Sequence, residues 1–433
     1  MIPTPVAAGM IAIARQLEHA ERLDARTLRA QQLRQLASLL AHARRYAPAY
    51  EMRLATLDSA HDLDAAALAS VPTLTRREVQ DDPDGLRCRV VPPDHGSLTE
   101  YASSGSTGRP IRVLGTRLHD LWWRALLLRD HLWHERDFNA KLGVLKTRIS
   151  GGTEPNWGAA TAGVIATGPC VSLNSGQGVA EQIRWLRTEK PVYLLSHASN
   201  LRALARHCIA HAVPLSGLRE VRSYGEMLPP DLRELCDAAW GVPLTDSYSA
   251  AEIGIIALQC PQSTAYHVQS EHVMVEILDK ADRPCGPGER GRVVVTPLHN
   301  FAMPLVRYEL DDFAEVGESC PCGRGLPVLT RILGRRRNML RVPDGTTHWP
   351  SLPAKLWDWA SPIRQFQLVQ SALAAITVRL VAERPLTVDE ENALRGRLDQ
   401  RLGWRFDYRF EYCSAIDGGA GFEDFKCLLD DAI

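Results

Sequence analysis

The segment Tyr101-Ala-Ser-Ser-Gly-Ser-Thr-Gly-Arg-Pro110 concentrates hydroxyls, glycines and a guanidinium in one short loop. Glycines let backbone N–H groups turn toward an anion with no Cβ in the way. Ser103, Ser104, Ser106 and Thr107 add hydroxyl donors, Gly105 and Gly108 permit the turns, and Arg109 brings positive charge. That chemistry suits the wrapping of a phosphate. The same composition also describes a flexible linker. The spacing departs from GxxxxGK[ST], so this is not a P-loop. A second constellation is Cys260 and His267, followed by Cys320 and Cys322. Three thiolates and one imidazole make a closed tetrahedral Zn²⁺ shell with no position for a substrate water, so a site of this kind is structural. The Cys-x-Cys spacing is tighter than the usual Cys-x₂-Cys, and unrelated turn cysteines are the alternative. The other seven cysteines show no pattern.

Further segments follow the loop in a telling order. Ser103–Pro110 resembles the phosphate loop of the adenylate-forming (AMP-binding) superfamily. Asp246-Ser-Tyr-Ser-Ala-Ala-Glu252 resembles that family's aromatic–Gly–x–x–Glu segment, and Arg307-Tyr-Glu-Leu-Asp-Asp312 its Arg-Tyr-x-x-Gly-Asp segment. Arg331-Ile-Leu-Gly-Arg335 resembles its Arg-x-x-Gly-Arg segment. Gln35–Tyr50, Val71–Arg76 and Cys320–Pro327 resemble segments of the phenylacetate–CoA ligase-like branch, which includes coenzyme F390 synthetase relatives. Members of that branch also carry Cys and His near the positions of the Cys/His constellation.

The resemblance implies a reaction and a set of roles. Adenylation joins a carboxylate to the α-phosphate of ATP and expels pyrophosphate; the protein neutralises charge and holds geometry. The loop Ser103–Arg109 would take the β- and γ-phosphates. Glu252, with Thr107 nearby, would hold Mg²⁺, a cation that favours carboxylates, phosphates and waters. Tyr248, with Asp246 and Ser249 beside it, would lie near the adenine. Gly225 and Glu226 would line the adenine and acyl pocket. Asp312 would accept from the ribose hydroxyls, and Arg335 would contact ribose or phosphate. Lys426, the only lysine in the last forty residues, stands where the family's lysine bridges carboxylate and phosphate; a mobile point charge suits that task.

Three departures stand out. Phe425 replaces the glycine that precedes the family's lysine, and Arg337 and Asn338 replace an acidic pair at its hinge. The family's Gly-Asp also reads Asp311-Asp312. Adenylation is therefore the firmer half of the expectation. The acceptor would be the thiol of CoA or of a carrier-protein phosphopantetheine. An amine or hydroxyl acceptor, and a non-catalytic nucleotide-binding scaffold, stay open as alternatives. The acid would be aromatic or similarly small, and the branch often forms homodimers.

Elements of matching kinds must position these residues. The chain has 433 residues, enough for two unequal domains. Its 50 basic and 51 acidic residues balance, which gives no argument for nucleic acid or an anionic membrane surface. No apolar run predicts a transmembrane helix. The N-terminus reads as a docking segment or helix start, and the sparse cysteines fit a reducing cytoplasm. Leu28, Leu33, Leu36, Leu39 and Leu40 predict a helix over 27–45, and Leu/Trp spacing predicts a core helix over 117–136. Short apolar runs near 142–145, 192–195 and 218–221 alternate with helices, which predicts an α/β domain with a mostly parallel sheet. Strands and turns dominate after 255. A small α+β module follows from 335, so the expected domains are 1–334 and 335–433.

Overall fold

Side-chain caps start the N-terminal helices. Thr4 accepts from the Ala7 N–H at 3.2 Å and Pro5 takes the first position of the helix Pro5–Ala20. Asp24 caps Ala25–Tyr46 through the Thr27 N–H at 2.9 Å. Thr116 caps Arg117–Trp133 through the His119 N–H at 3.2 Å. Leu28, Leu36, Leu39 and Leu40 are buried along one face of the second helix, as their spacing requires. Trp122 and Trp133 lie in a core cluster with Met10, Leu17 and Leu126, so these aromatics are packing residues.

The computed structural model describes residues 4–57, 63–102, 110–353, 356–357, 363–416 and 423–429. The chain divides into two compact units. One comprises Met1–Val144, Gly151–Ser172 and Thr245–Ile332; the other comprises Leu145–Ser150, Leu173–Leu244 and Leu333–Ile433.

In the first unit the strands run in the order Val273–Leu278, Arg290–Pro297, Tyr308–Val316, Val328–Arg335, Tyr266–Val268, Gly254–Gln259, Leu244–Ala250. Gly254–Gln259 pairs antiparallel with both Tyr266–Val268 and Leu244–Ala250. Its core joins Leu36, Leu39 and Tyr50 of the N-terminal helices to Ile256, Val293 and Tyr308 of the sheet.

In the second unit Tyr193–Ser196 and Glu220–Tyr224 pair in parallel, with helices Val179–Glu189, Ala198–Ala210 and Leu232–Trp240 around them. Parallel pairing thus occurs where strands alternate with helices, and antiparallel pairing where strands follow one another. Residues 340–427 of this unit carry a core of their own, including Leu340, Trp357, Leu368, Leu394 and Phe425. Four strands form its sheet in the order Asp407–Tyr412, Ala375–Ala382, Ile363–Ala372, Phe425–Cys427. The helix Val388–Leu402 starts in a Thr387/Glu390 capping box, buries Leu394, Leu398 and Leu402, and ends at Gly403 with φ 75°. The fold class is α/β, with a large mixed-sheet N-terminal domain and a small C-terminal α/β domain. Among the described residues, no helix is long and apolar enough to cross a membrane.

Candidate active site

The hydroxyl- and glycine-rich loop, with Ser103, Ser104, Gly105, Ser106, Thr107, Gly108 and Arg109, lies outside the described residues. The strands at its two ends are described. Leu98–Ala102 and Arg112–Thr116 pair antiparallel with Ala102 opposite Arg112, so a hairpin brings both ends of the loop together.

The first unit gathers several predicted residues. Asp246 and Tyr248 share the strand Leu244–Ala250, with Ser249 next along, and both are buried. Tyr248 donates its hydroxyl hydrogen to Asp312 at 2.8 Å, across 64 positions of chain. A carboxylate accepts at both oxygens, so this bond orients Asp312 without exhausting its acceptor capacity. Asp246 accepts from the Tyr266 hydroxyl at 2.7 Å, and its backbone N–H donates to the Gln259 side chain at 3.0 Å. The residue ahead of Asp312 explains one departure from the family pattern. Asp311 has φ 61°, the left-handed region in which glycine is at ease and Asp is among the tolerated exceptions.

Glu252 is buried in the same unit. The Tyr308 hydroxyl donates to it at 3.3 Å, and an Arg76 guanidinium nitrogen lies 3.8 Å from the same oxygen. Burial, then the neighbouring Glu252 charge, holds the Tyr308 phenol well above its usual range, so it stays a donor. Arg76 is delivered by a short bridge in which the Leu74 N–H donates to Arg307 O at 2.8 Å and Leu74 O accepts from the Glu309 N–H at 2.9 Å. Arg307 itself is a strap: it pairs with Glu276 and donates to Ala69 O and Val71 O.

The Cys/His constellation closes in this unit too. The ligand atoms of Cys260, His267, Cys320 and Cys322 all lie within 4.8 Å of one another. Cys260 and Cys320 sulfurs are 3.7 Å apart, and Cys322 Sγ is 3.3 Å from His267 Nε2. Cys260 directly follows the strand Gly254–Gln259, and His267 sits on the next strand, opposite Leu258 and Val328. Cys320 and Cys322 lie in the turn ahead of Val328–Arg335. Burial pushes the His267 imidazole down to about 4, which keeps it neutral as a metal ligand requires. Downstream of the turn, the Gly325 N–H donates to Glu21 O at 2.9 Å, and a Cβ at Gly325 would lie 1.7 Å from Leu23 O. The cluster therefore anchors the junction between the first two helices.

The second unit holds the other predicted residues. Gly225 follows the strand Glu220–Tyr224 with φ 70°. Glu226 accepts from the Ser199 N–H at 2.8 Å, which places its carboxylate at the N-terminus of Ala198–Ala210. The Arg335 N–H donates to the Asn338 side chain at 3.2 Å, and Arg335 O accepts from the Trp349 indole at 3.1 Å. Lys426 lies on Phe425–Cys427, opposite Val369, with its ammonium 4.0 Å from Glu423 and its side chain one-third exposed. His197, Asn200, Glu226, Phe366 and Asp424 line a cavity of about 830 Å³ in this unit.

Residues 352–421 match the model of the CapK C-terminal domain. A phenylacetate-coenzyme A ligase of Thermus thermophilus is 26% identical over 365 residues, covering 81% of this chain and 79% of its own. One of Escherichia coli is 23% identical over 436 residues, covering 94% of this chain and 96% of its own. Over most of its length the chain is a distant homologue of phenylacetate–CoA ligases of the adenylate-forming superfamily. A 2-hydroxyisobutyryl-CoA ligase in complex with an acyl-AMP shares the fold, with a TM-score of 0.71 at 20% identity over 96% of this chain and 92% of that one.

This distant homologue contains supporting residues whose contacts carry no signal in the sequence motifs. Tyr266, Gln259, Tyr308 and Arg76 hold Asp246 and Glu252, and each lies far from its partner in sequence. Arg202 carried a visible signal. It lies on the buried face of Ala198–Ala210 with Ala198, Leu201, Ala205 and Cys208, where a charge requires a partner.

Proposed function

We propose that the protein is an ATP-dependent, AMP-forming carboxylic acid ligase that activates an aromatic or similarly small acid and passes the acyl group to the thiol of CoA or of a carrier-protein phosphopantetheine. The observation that carries this reading is the Tyr248–Asp312 hydrogen bond. It joins an aromatic ring to an acceptor-only carboxylate in one unit, a pairing suited to adenine and ribose. The CoA-ligase names of the distant relatives favour the thiol acceptor, as does a solved relative described with an acyl-AMP and CoA.

In this reading Ser103–Arg109 holds the β- and γ-phosphates, and Gly225, Glu226, Asp246 and Ser249 line the nucleotide and acyl side. Lys426 and Arg335 supply positive charge to the substrate carboxylate and the phosphate. The acid's oxygen attacks the α-phosphorus, the α–β anhydride bond breaks, and pyrophosphate leaves. The thiol sulfur then attacks the acyl carbon and AMP departs. Glu252 and Thr107 would hold Mg²⁺, which when bound neutralises phosphate charge. The buried carboxylate of Glu252, steadied by Tyr308 and Arg76, fits that role. Cys260, His267, Cys320 and Cys322 would hold a structural Zn²⁺, since the donor set and its closeness suit a closed tetrahedral shell. Residues 335–433 act as the small domain that carries Lys426, consistent with the separate core of residues 340–427. A cytoplasmic homodimer completes the reading.

The test is ATP–pyrophosphate exchange with Mg²⁺ against benzoates, phenylacetates, cinnamates, fatty acids and amino acids. Acid-dependent exchange establishes adenylation and identifies the acid. Exchange without thioester formation moves the acceptor to an amine or hydroxyl. ATP binding without exchange for any acid leaves the nucleotide-binding scaffold, and no ATP binding at all refutes the ligase.

A further inference from the structure

Lys426 sits on the shortest strand of its sheet, three residues long and at the sheet's edge. The strand pairs in parallel with Ile363–Ala372, Phe425 opposite Leu368 and Cys427 opposite Gln370, and the bonds Leu368 N–H to Asp424 O and Leu428 N–H to Gln370 O, each 2.8 Å, flank that pairing. Four side chains take hold of the three residues that precede the lysine, the first being Gln367 on the neighbouring strand, whose amide donates to Glu423 O at 3.0 Å. Arg337 forks onto Glu423, with Nη2 2.6 Å from Oε1 and Nε 3.1 Å from Oε2. Arg202 donates to Asp424 at 2.5 Å, to Asp231 at 3.3 Å and to Leu352 O at 2.8 Å, with its guanidinium 5.3 Å over the Phe366 ring. Asn338 donates to Phe425 O at 2.7 Å, while its own oxygen accepts from Arg335 N–H. Phe425 and Cys427 point into the core, so alternation turns Lys426 to the opposite face.

A lysine stem is long and flexible, and the strand that carries it must supply the precision the stem lacks. Arg337 and Asn338 are also the residues that depart from the family's acidic pair; here Arg337 holds Glu423 just ahead of the lysine strand and Asn338 holds Phe425 on it.

We propose that Arg202, Arg337 and Asn338 are positioning residues for Lys426, clamping Glu423, Asp424 and Phe425 so that the ammonium is presented at one place. The proposal rests on the adenylation role of Lys426 given above. Asp424 illustrates how much the clamp must do: burial raises its carboxyl despite the opposing pull of Arg202. Removing Arg202 leaves Asp231 and Asp424 without their shared cation, so that variant risks misfolding. Arg337, partly exposed, is the safer probe.

The experiment compares wild type, Arg337→Met, Asn338→Ala, Lys426→Ala and the Arg337→Met/Lys426→Ala double variant. Two readouts are taken: acid-dependent ATP–pyrophosphate exchange, and transfer from a synthetic acyl-adenylate to CoA. Lys426→Ala should lower exchange by about 100-fold or more, and Arg337→Met by about tenfold through kcat with KM for ATP nearly unchanged. Transfer from the preformed adenylate should stay within about twofold in Arg337→Met and Asn338→Ala, and a larger loss there would show that the clamp does not act through adenylation. In the Lys426→Ala background, Arg337→Met should have no further effect on exchange. The same loss in both backgrounds, or no loss from either Arg337→Met or Asn338→Ala, overturns the positioning role alone. Full exchange by Lys426→Ala overturns the lysine's role, and the positioning role with it.

Discussion

Replacing Tyr248 by Phe tests the site at its central contact. The ring is buried and stays; only the hydroxyl that donates to Asp312 at 2.8 Å is lost. A hydrogen bond to a charged acceptor contributes about 1.5–3 kcal/mol. Asp312 is half-buried, so the lower end applies: about 1.5 kcal/mol, or roughly tenfold in kcat/KM for ATP. The loss should fall on KM, because the contact orients a binding group and not the reacting atoms. The assay is pyrophosphate exchange with ATP and with 2′-deoxyATP. Wild type should favour ATP, Asp312→Ala should treat the two nucleotides alike, and Tyr248→Phe should lie between them. Equal losses for both nucleotides in Asp312→Ala would remove Asp312 from the ribose. An unchanged kcat/KM in Tyr248→Phe, with Asp312→Ala inactive, would mean that the tyrosine does not orient the carboxylate.

Three other outcomes follow from the same structure. The purified protein should carry about one zinc per chain, and Cys320→Ser or Cys260→Ser should release it and lower Tm by at least about 5 °C, read by elemental analysis and calorimetry. Asp311→Gly should keep activity and be no less stable, whereas Asp311→Val should lose about 1 kcal/mol or more in a urea titration, since φ 61° penalises a β-branched side chain. Burial pushes His119 and His299 down to about 3 and His272 to about 4, so the folded state resists protons that the unfolded state accepts near 6.5. Stability should therefore be full above about pH 6.5 and fall as the pH drops toward 4, with a slope of up to about 4 kcal/mol per pH unit for three protons. Urea midpoints at pH 5 and pH 7 check it, and equal midpoints would refute it.

Much of this protein is readable from the chain alone because the relevant physics is local. The helix at 25–46 follows from leucine spacing and an aspartate cap; the helix at 388–402 follows from a capping box and a terminal glycine. Cys260, His267, Cys320 and Cys322 were legible as one ligand set because their types restrict the chemistry so strongly. The order of the motifs also pointed to the adenylate-forming family before any contact was known. The strand Phe425–Cys427 escaped because three residues carry no period.

What a side chain touches is a different matter. Tyr248 reaches Asp312 across 64 positions, Tyr308 reaches Glu252 across 56, and Arg202 reaches Asp424 across 222. Those pairings depend on strand register and on which faces become buried, and no local pattern encodes either. Arg337 and Asn338 show the difference most plainly. In the sequence they are a departure from an acidic pair; in the fold they are contacts to Glu423 and to the backbone of Phe425. The sequence alone determined which chemistry was available. Tertiary packing decided which carboxylates are oriented, which cations hold them, and how the lysine strand is fixed, because only packing brings distant groups within hydrogen-bond distance and removes the water that would otherwise satisfy them.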